Sequence, residues 1–236
     1  MKKLNFLLAI VAMAIFTSCE KVVGEGALVT ETRTTNSFNG IESSVSGNII
    51  YVQGPDYKVE LTAQQNVLNV METPIVNNKL EVRFKNGVRV KSHEQITIKV
   101  TAPSISSIGS SGSGNVTVTS PLTASDLSFR LSGSGNVTLP TVTCNYLEAT
   151  ISGSGNISIA GGTATTEHLK ISGSGNIDAQ NVQAKSVTTT TSGSGSMKVS
   201  ASETLDVTIS GSGSVYYWGT PKITTNISGS GKVLPK

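Results

Sequence analysis

The sequence predicts an all-β protein built as a right-handed parallel β-helix, and two observations carry this prediction. First, the tetrad Ser-Gly-Ser-Gly recurs, beginning at Ser111, Ser132, Ser152, Ser172, Ser192, Ser210 and Ser228. The steps between successive tetrads are 21, 20, 20, 20, 18 and 18 residues, a period typical of solenoids whose repeats stack on one another. Second, apolar residues or glycine alternate with polar residues around each tetrad, which is the period of a strand.

Each repeat therefore consists of one strand, a bend at the tetrad glycines and a second strand. In the stretch 147–159, for example, every second position is apolar or glycine. Strands of adjacent coils should lie about 4.8 Å apart, and right-handed crossovers are the rule for parallel strands. The tetrads predict about seven regular coils, which occupy residues 105–236.

The tetrad glycines share the frame of the apolar residues, which favours an inward position for Gly153 and Gly155. A side chain there would collide with the opposite wall at the bend, and glycine also adopts backbone angles that other residues avoid. Ser152, Ser154 and Asn156 would then build outward polar columns, with the asparagines forming a hydrogen-bonded ladder. The reverse arrangement, with the glycines outside and Asn156 buried, stays open at this point.

The N-terminus has the features of a bacterial lipoprotein signal. A basic start, Met1–Lys3, is followed by the apolar run Leu4–Phe16, which is too short to span a bilayer. Phe16-Thr17-Ser18-Cys19 resembles a lipobox, with Phe16 at the position usually held by Leu. We therefore predict residues 1–18 as a signal peptide and Cys19 as the lipid anchor, which places the protein in the outer membrane of a bacterial envelope, facing either the periplasm or the cell surface.

Two segments lie between the anchor and the regular repeats. Residues 19–35 show no period and predict a flexible tether. Residues 36–104 predict an irregular β section with a hairpin turn at Asn86-Gly87. Within it, Ser46-Gly47-Asn48 resembles a degenerate tetrad, so this section forms either irregular coils of the same solenoid or a cap that protects its open strand edges.

Composition argues against several classes of protein. The net charge is +3, and removal of Lys2 and Lys3 with the signal peptide would leave about +1, which predicts no nucleic-acid partner. No phosphate-binding or zinc-binding spacing is present, so we expect no cofactor and no metal. Cys144 is expected to be buried as a small apolar residue.

A polysaccharide-processing β-helix enzyme is an alternative, because hydrolases of this shape use two carboxylates. Glu148 and Glu167 are separated by nearly one period and could be neighbours on adjacent coils. No other catalytic group converges on them. We therefore expect no enzyme and no catalytic residue.

The preferred hypothesis is a non-catalytic adhesin or binding module that presents a polar β-helix face to glycans or a protein partner. Hydroxyl and amide columns and one aromatic cluster form the candidate binding surface. Its residues are Ser154, Asn156, Ser174, Asn176, Tyr216, Tyr217 and Trp218. The aromatic residues are alternatively part of a terminal cap. A second alternative is a structural protein that self-assembles through the same flat face into a homo-oligomer.

Several short stretches resemble a known family. They are Phe38-Asn39-Gly40-Ile41, Ser46-Gly47, Tyr57-Lys58-Val59-Glu60, Val100-Thr101-Ala102-Pro103 and Tyr217-Trp218-Gly219-Thr220-Pro221-Lys222-Ile223. Together with the repeated tetrads, they are similar to the putative auto-transporter adhesin head domain, the GIN domain, over about residues 38–236. The resemblance implies a β-helical fold and an envelope lipoprotein of the Bacteroidetes type, and it supplies no functional residues to carry over.

Overall fold

The computed structural model describes residues 20–236. The N-terminal section contains one helical turn, α1 (Gln65–Leu68), and ten strands: β1 (Glu20–Val23), β2 (Leu28–Thr34), β3 (Gly40–Ser43), β4 (Asn48–Gln53), β5 (Lys58–Gln64), β6 (Met71–Glu72), β7 (Ile75–Val76), β8 (Lys79–Phe84), β9 (Val88–Ser92) and β10 (Thr97–Ala102).

The repeat section adds thirteen strands: β11 (Ser107–Ser110), β12 (Val116–Val118), β13 (Leu122–Thr123), β14 (Asp126–Leu131), β15 (Asn136–Leu139), β16 (Val142–Gly153), β17 (Asn156–Ile159), β18 (Gly162–Gly173), β19 (Asn176–Gly193), β20 (Met197–Gly211), β21 (Ser214–Trp218), β22 (Lys222–Gly229) and β23 (Lys232–Pro235). The predicted fold class is confirmed, because the chain is nearly all-β and forms a β-solenoid of about 6 turns. Within residues 20–236, no helix is long and apolar enough to cross a membrane.

Each regular coil has three faces. On the long face, β14, β16, β18, β19, β20 and β22 pair in parallel, one coil after the next. On the second face, β15, β17, β21 and β23 form a parallel stack with the first residues of β19 and β20. The third face is short and begins with β13, which pairs with the start of β16.

The pairing register keeps each side chain above its counterpart in the preceding coil. Leu127 pairs with Leu147 and Ile151 pairs with Ile171, so inward residues form continuous apolar columns. In β14, Leu127, Phe129 and Leu131 are buried, whereas the alternate residues are at least partly exposed. The period of two therefore divides the chain into one interior shared by all three faces and one solvent surface.

The N-terminal section belongs to the same stack, but its coils are not stacked in chain order. β3 pairs in parallel with β8 on one side and with β11 on the other. β4 likewise lies between β10 and β12. The first coil of the chain is therefore inserted between the coil formed by β8 and β10 and the first regular coil.

Antiparallel strands close one end of the solenoid. β5 pairs antiparallel with β10, and β2 pairs antiparallel with β5. Beneath them, Val59 and Leu61 of β5 and Val67 and Leu68 of α1 are fully buried. We call this end of the stack the capped end.

The predicted tether over residues 19–35 is wrong from Glu20 onward. β1 pairs in parallel with β9, starting with Glu20 opposite Val88, and all seven residues of β2 pair with β5. The Arg33 guanidinium also donates to the carbonyl oxygens of Met71 and Leu68 at 3.0 and 3.2 Å. Most side chains of β2 are exposed, so backbone pairing holds the strand and no apolar alternation marks it in the sequence. Cys19 and the predicted signal peptide lie outside the described residues.

The opposite end, which we call the open end, is formed by β22 and β23. β22 pairs with β20 and with no other strand of the described residues, and all eight of its residues are exposed. Tyr217 and Val233 pack against the core. Of the aromatic residues that the sequence offered as part of a terminal cap, Tyr217 therefore packs against the core, but no described strand pairs with the outer edge of the last long-face strand.

Candidate functional site

The predicted polar columns form one exposed ridge along the bend between the long face and the second face. We call it the tetrad ridge, and it consists of residues 111–115, 132–136, 152–156, 172–176, 192–196, 210–214 and 228–232. The structure brings Ser154, Asn156, Ser174 and Asn176 together on this ridge, and all four are exposed. Gly155 is buried between them. Of the two arrangements left open by the sequence, the one with glycine inside is therefore present for Gly155, the second glycine of its tetrad, whereas the first, Gly153, is partly exposed.

Glycine is required here by contact between coils. A Cβ atom on Gly155 would lie 2.0 Å from the carbonyl oxygen of Gly135 and 2.6 Å from Leu131 Cδ2. The first glycine of the tetrad has a second constraint, since Gly173 and Gly193 have φ of 144° and 133°, which side chains disfavour. The obstacle is thus the backbone of the preceding coil, and not the opposite wall that the sequence argument proposed.

The asparagine ladder ties the coils together. Asn156 Nδ2 donates to Asn136 Oδ1 at 2.9 Å, and Asn176 Nδ2 donates to Asn156 Oδ1 at 3.0 Å. The backbone N–H of Asn176 also donates to Asn156 Oδ1, at 3.1 Å. The ladder reaches into the N-terminal section, where Asn48 Oδ1 accepts from the N–H of Asn115 at 2.9 Å. Each of the four tetrad asparagines therefore makes two or three side-chain hydrogen bonds within the protein.

The aromatic cluster is divided between three environments. The Nζ atom of Lys236 lies 5.1 Å from the centroid of the Tyr216 ring, in a cation–π contact. Tyr217 faces inward and packs against the core. Trp218 is partly exposed and lines a cavity with Gln180 and Asn181. Of the three aromatic residues, Trp218 is the one placed to meet a ligand in a concave site.

That cavity is one end of a groove that runs parallel to the solenoid axis along the third face. We call it the axial groove, and its floor is a column of small residues. One wall consists of Thr123, Thr143, Thr163 and Gln183, the floor of Ala124, Cys144, Ala164, Ala184 and Ala201, and the other wall of Ser125, Asn145, Thr165, Lys185 and Ser202. Because the register repeats by one coil, each wall presents a similar polar group at every level.

The groove extends over several coils. Its longer part has a volume of about 770 Å³, and the part beside Trp218 has a volume of about 540 Å³. Both parts are lined by Gln183 and Ser202, so they are contiguous. The lining residues belong to five successive coils, and the usual spacing between strands then gives the groove a length of about 20 Å. The lining carries hydroxyl, amide and methyl groups, and the one charged side chain on it is Lys185.

Behind the groove floor lies a buried carboxyl group. Glu167 pairs with Leu147 and Val187, so it occupies the inward leucine column of the long face, and it is 0% exposed. Neither carboxyl oxygen has a hydrogen-bond partner. Burial raises the pKa of Glu167 to about 8. The sequence did carry the signal, because Glu167 follows Leu147 by one 20-residue period.

The two carboxylates that the sequence offered for catalysis, Glu148 and Glu167, point in opposite directions. Glu148 points outward and accepts hydrogen bonds from Arg130 at 2.6 Å and Ser128 at 2.7 Å, whereas Glu167 points inward from the next coil. His168 lies in β18, is exposed and pairs with Glu148 of the preceding coil. Burial, with the charges of Glu167 and Asp126, raises the pKa of the Cys144 thiol to about 11, which leaves the thiol protonated. Within residues 20–236, no three His, Cys, Asp or Glu side chains are grouped to hold a metal.

The architecture thus defines a class: β-solenoid proteins with a stacked hydrogen-bonding surface and a polar axial groove. Residues 37–221 match the family described as putative auto-transporter adhesin, head GIN domain. The match covers more than half of the chain, which therefore belongs to this family, as the resemblance predicted. Membership indicates a cell-envelope protein with a non-catalytic, adhesin-like binding role.

Solved structures share the fold. A putative adhesin from Bacteroides fragilis NCTC 9343 is 27% identical, with a TM-score of 0.85 over 91% of this chain and 100% of that chain. A putative adhesin from Parabacteroides merdae ATCC 43184 is 25% identical, with a TM-score of 0.70 over 92% and 99% of the two chains. A putative lipid binding protein from Parabacteroides distasonis ATCC 8503, at 23% identity and a TM-score of 0.75 over 92% and 100%, shows the fold alone. Among curated proteins, none matches the chain.

Proposed function

We propose that this protein is a lipid-anchored envelope protein that binds neutral, extended glycan chains in the axial groove without catalysing a reaction. Family membership supports the adhesin-like role. The lipobox-like sequence Phe16–Cys19 supports the anchor. The observation that carries the choice of ligand is the groove itself, which is concave, continuous over several coils, polar and almost uncharged.

The lining chemistry suits sugars. Thr, Ser, Asn and Gln side chains donate to and accept from sugar hydroxyl groups, and the small floor residues leave room for a chain to lie in the groove. Each coil advances by about 4.8 Å, which is close to the advance of one sugar ring in an extended glycan. Successive coils therefore offer equivalent groups to successive sugars. At one end, the Trp218 ring can stack on the apolar face of a sugar.

The charge of the groove favours a neutral ligand. Lys185 Nζ lies 4.0 Å from a Glu203 carboxylate oxygen, so its charge is partly balanced on the rim. An anionic polymer would find no array of cations along the walls. The tetrad ridge is less suited to binding than the sequence suggested, because it is convex and its asparagine amides bond to one another.

The position of the anchor is compatible with this role. Glu20 pairs with Val88 beside the first coil of the stack, at the capped end. A lipid on Cys19 would therefore attach at that end, and Trp218 lies near the open end. The groove would then run away from the membrane, accessible along its length.

Trp218 is the only tryptophan of the chain, which gives a direct test of glycan binding. A chain of residues 20–236 is suitable, because the Bacteroides fragilis relative forms this fold with nothing beyond the matched region. We expect a saturable change in Trp218 fluorescence with linear neutral oligosaccharides, an affinity that rises with their length, and no response to a monosaccharide. Unchanged fluorescence with a panel of such oligosaccharides, and no retardation in gels containing the parent polysaccharides, would contradict the proposal.

The anchor is tested separately. In the native host, the wild-type chain should fractionate with membranes and incorporate labelled fatty acid, and Cys19→Ser should lose both properties. Protease treatment of intact cells then distinguishes a surface position from a periplasmic one. Membrane attachment that persists unchanged in Cys19→Ser would contradict lipid anchoring, without bearing on the groove.

A further inference from the structure

The open end exposes apolar side chains that are buried one coil earlier. Ile223 and Ile227 of β22 are 38% and 41% exposed. Their counterparts in the preceding coil, Leu205 and Ile209, are 0% and 1% exposed. The two isoleucines lie in the inward frame with Thr225 between them. They therefore have the side-chain pattern of an interior strand, with the covering coil missing from the described residues.

The backbone of β22 is open as well. Among the described residues it pairs only with β20, so its outer edge presents free N–H and C=O groups over eight residues. Natural proteins usually protect such edges with charged residues, proline or a covering element. Here Pro221 precedes β22 and Lys222 is its first residue, whereas the rest of the strand, 223–229, is uncharged.

We propose that β22 is a self-association surface on which a second copy of the chain pairs through the same strand. Two identical edges related by a twofold axis must run antiparallel. The sequence is self-complementary in that register. With Thr225 on the axis, Thr225 faces its own copy, Ile223 faces Ile227 of the second copy, and Thr224 faces Asn226. Apolar residues thus meet apolar residues on the inner side, and polar residues meet polar residues on the outer side.

The alternative of head-to-tail stacking is blocked by the other end of the molecule. There, the long face ends at β8, and β6 and β7 pair antiparallel with its outer edge. A second copy would meet this cap and not a matching coil. Association through β22 therefore closes at two copies and leaves both capped ends, with Glu20 beside them, at the far ends of an elongated dimer.

The test is the oligomeric state of residues 20–236, measured by sedimentation equilibrium together with small-angle scattering. We expect a concentration-dependent dimer whose maximum dimension is close to twice that of the monomer. Ile227→Lys should abolish dimer formation, because it places a charge in the paired inner row. Asn226→Lys adds the same charge to the outer face of the same strand and should leave the dimer detectable. Both positions are exposed, so the circular dichroism spectrum should not change.

Disulfide trapping tests the register. In a Cys144→Ala background, Thr225→Cys should form an intermolecular disulfide on mild oxidation, because residues directly opposite in an antiparallel pair lie within disulfide range. Thr224→Cys should form little disulfide, since Thr224 of the second copy lies diagonally across the strand pair and not directly opposite. A chain that stays monomeric at its highest soluble concentration, a dimer that Ile227→Lys does not weaken, or equal trapping at both cysteines would overturn the proposal.

Discussion

The tetrad ridge and the axial groove run along the same coils, but they use their polar groups differently. On the ridge, asparagine amides bond to the next coil and buried glycines let the backbones approach closely. In the groove, the wall residues face solvent, and behind the floor the carboxyl group of Glu167 has no partner at all. The difference suggests that the most repetitive part of the sequence maintains the stack, whereas the more variable third face is free to recognise a ligand.

A substitution at a buried ridge glycine should have the largest effect on stability. In Gly155→Val, the new side chain would overlap the carbonyl oxygen of Gly135 and force two coils apart. We expect a loss of at least about 3 kcal/mol in the free energy of unfolding, the upper end of the usual cost of overpacking. Denaturant unfolding followed by circular dichroism measures it. Gly161→Ala is the matched control, because a Cβ there would meet only one atom, at 3.7 Å, and should be nearly neutral.

Removing the buried carboxyl group behind the groove should stabilise the protein in a pH-dependent way. The pKa of Glu167 is about 8 in the folded protein against a usual value of 4.5. Between these pH values the folded protein keeps a proton that the unfolded chain has lost, so the free energy of unfolding falls as pH rises through this window.

We therefore expect Glu167→Leu to gain on the order of 3 kcal/mol at pH 8 and much less at pH 4.5. Unfolding curves recorded at several pH values would show the difference. Glu203→Leu, which removes an exposed carboxylate, serves as the control and should change the slope little. A parallel pH dependence in the wild type and Glu167→Leu would show that Glu167 ionises normally.

The asparagine ladder should contribute less than the glycines. Asn156→Ala removes hydrogen bonds to Asn136 and Asn176, all on the exposed surface. We expect a loss of about 1 kcal/mol, the usual net value for such bonds. Asn145→Ala, an exposed asparagine outside the ladder, should cost less. Equal losses in the two variants would indicate that the ladder adds nothing to stability.

Groove substitutions should affect stability least and ligand binding most. Trp218→Ala is expected to stay within about 0.5 kcal/mol of the wild type, because the indole is partly exposed on the rim. In affinity electrophoresis, its retardation by a neutral polysaccharide should fall clearly below that of the wild type. Tyr216→Ala, which changes the neighbouring, partly exposed aromatic residue outside the groove, should retain wild-type retardation.

The regular coils were predictable because stacking imposes one rule on every repeat. The period of two gave the inward set of Leu127, Phe129 and Leu131, and the tetrads placed the bends. β2 could not be predicted in this way. It is an edge strand whose side chains are mostly exposed, so no alternation of apolar and polar residues marks it in the sequence. The insertion of β3 and β4 between later coils could not be predicted either, because consecutive elements of a chain are normally expected to be neighbours in space.

The candidate site was only partly predictable. Trp218 stood out as a rare residue type, but the groove depends on which residues share a corner in three dimensions. Its sequence signal was a column of small residues at a spacing of one period, Cys144, Ala164 and Ala184, which resembles an ordinary buried column. The burial of Glu167 was not predicted, because a carboxylate is rarely fully buried without a partner. An alignment of the repeats by their pairing register would have identified both the column of small residues and the inward position of Glu167.

The most direct test of the account compares two pairs of lysine substitutions in glycan binding. Thr143→Lys with Thr163→Lys fills the groove wall on adjacent coils, and Ser154→Lys with Ser174→Lys places the same charges on the ridge without touching the ladder. All four positions are exposed, so both variants should fold. We predict that the groove pair loses binding to a neutral polysaccharide while the ridge pair retains it. Loss of binding in the ridge pair with full retention in the groove pair would contradict the central claim and assign recognition to the tetrads.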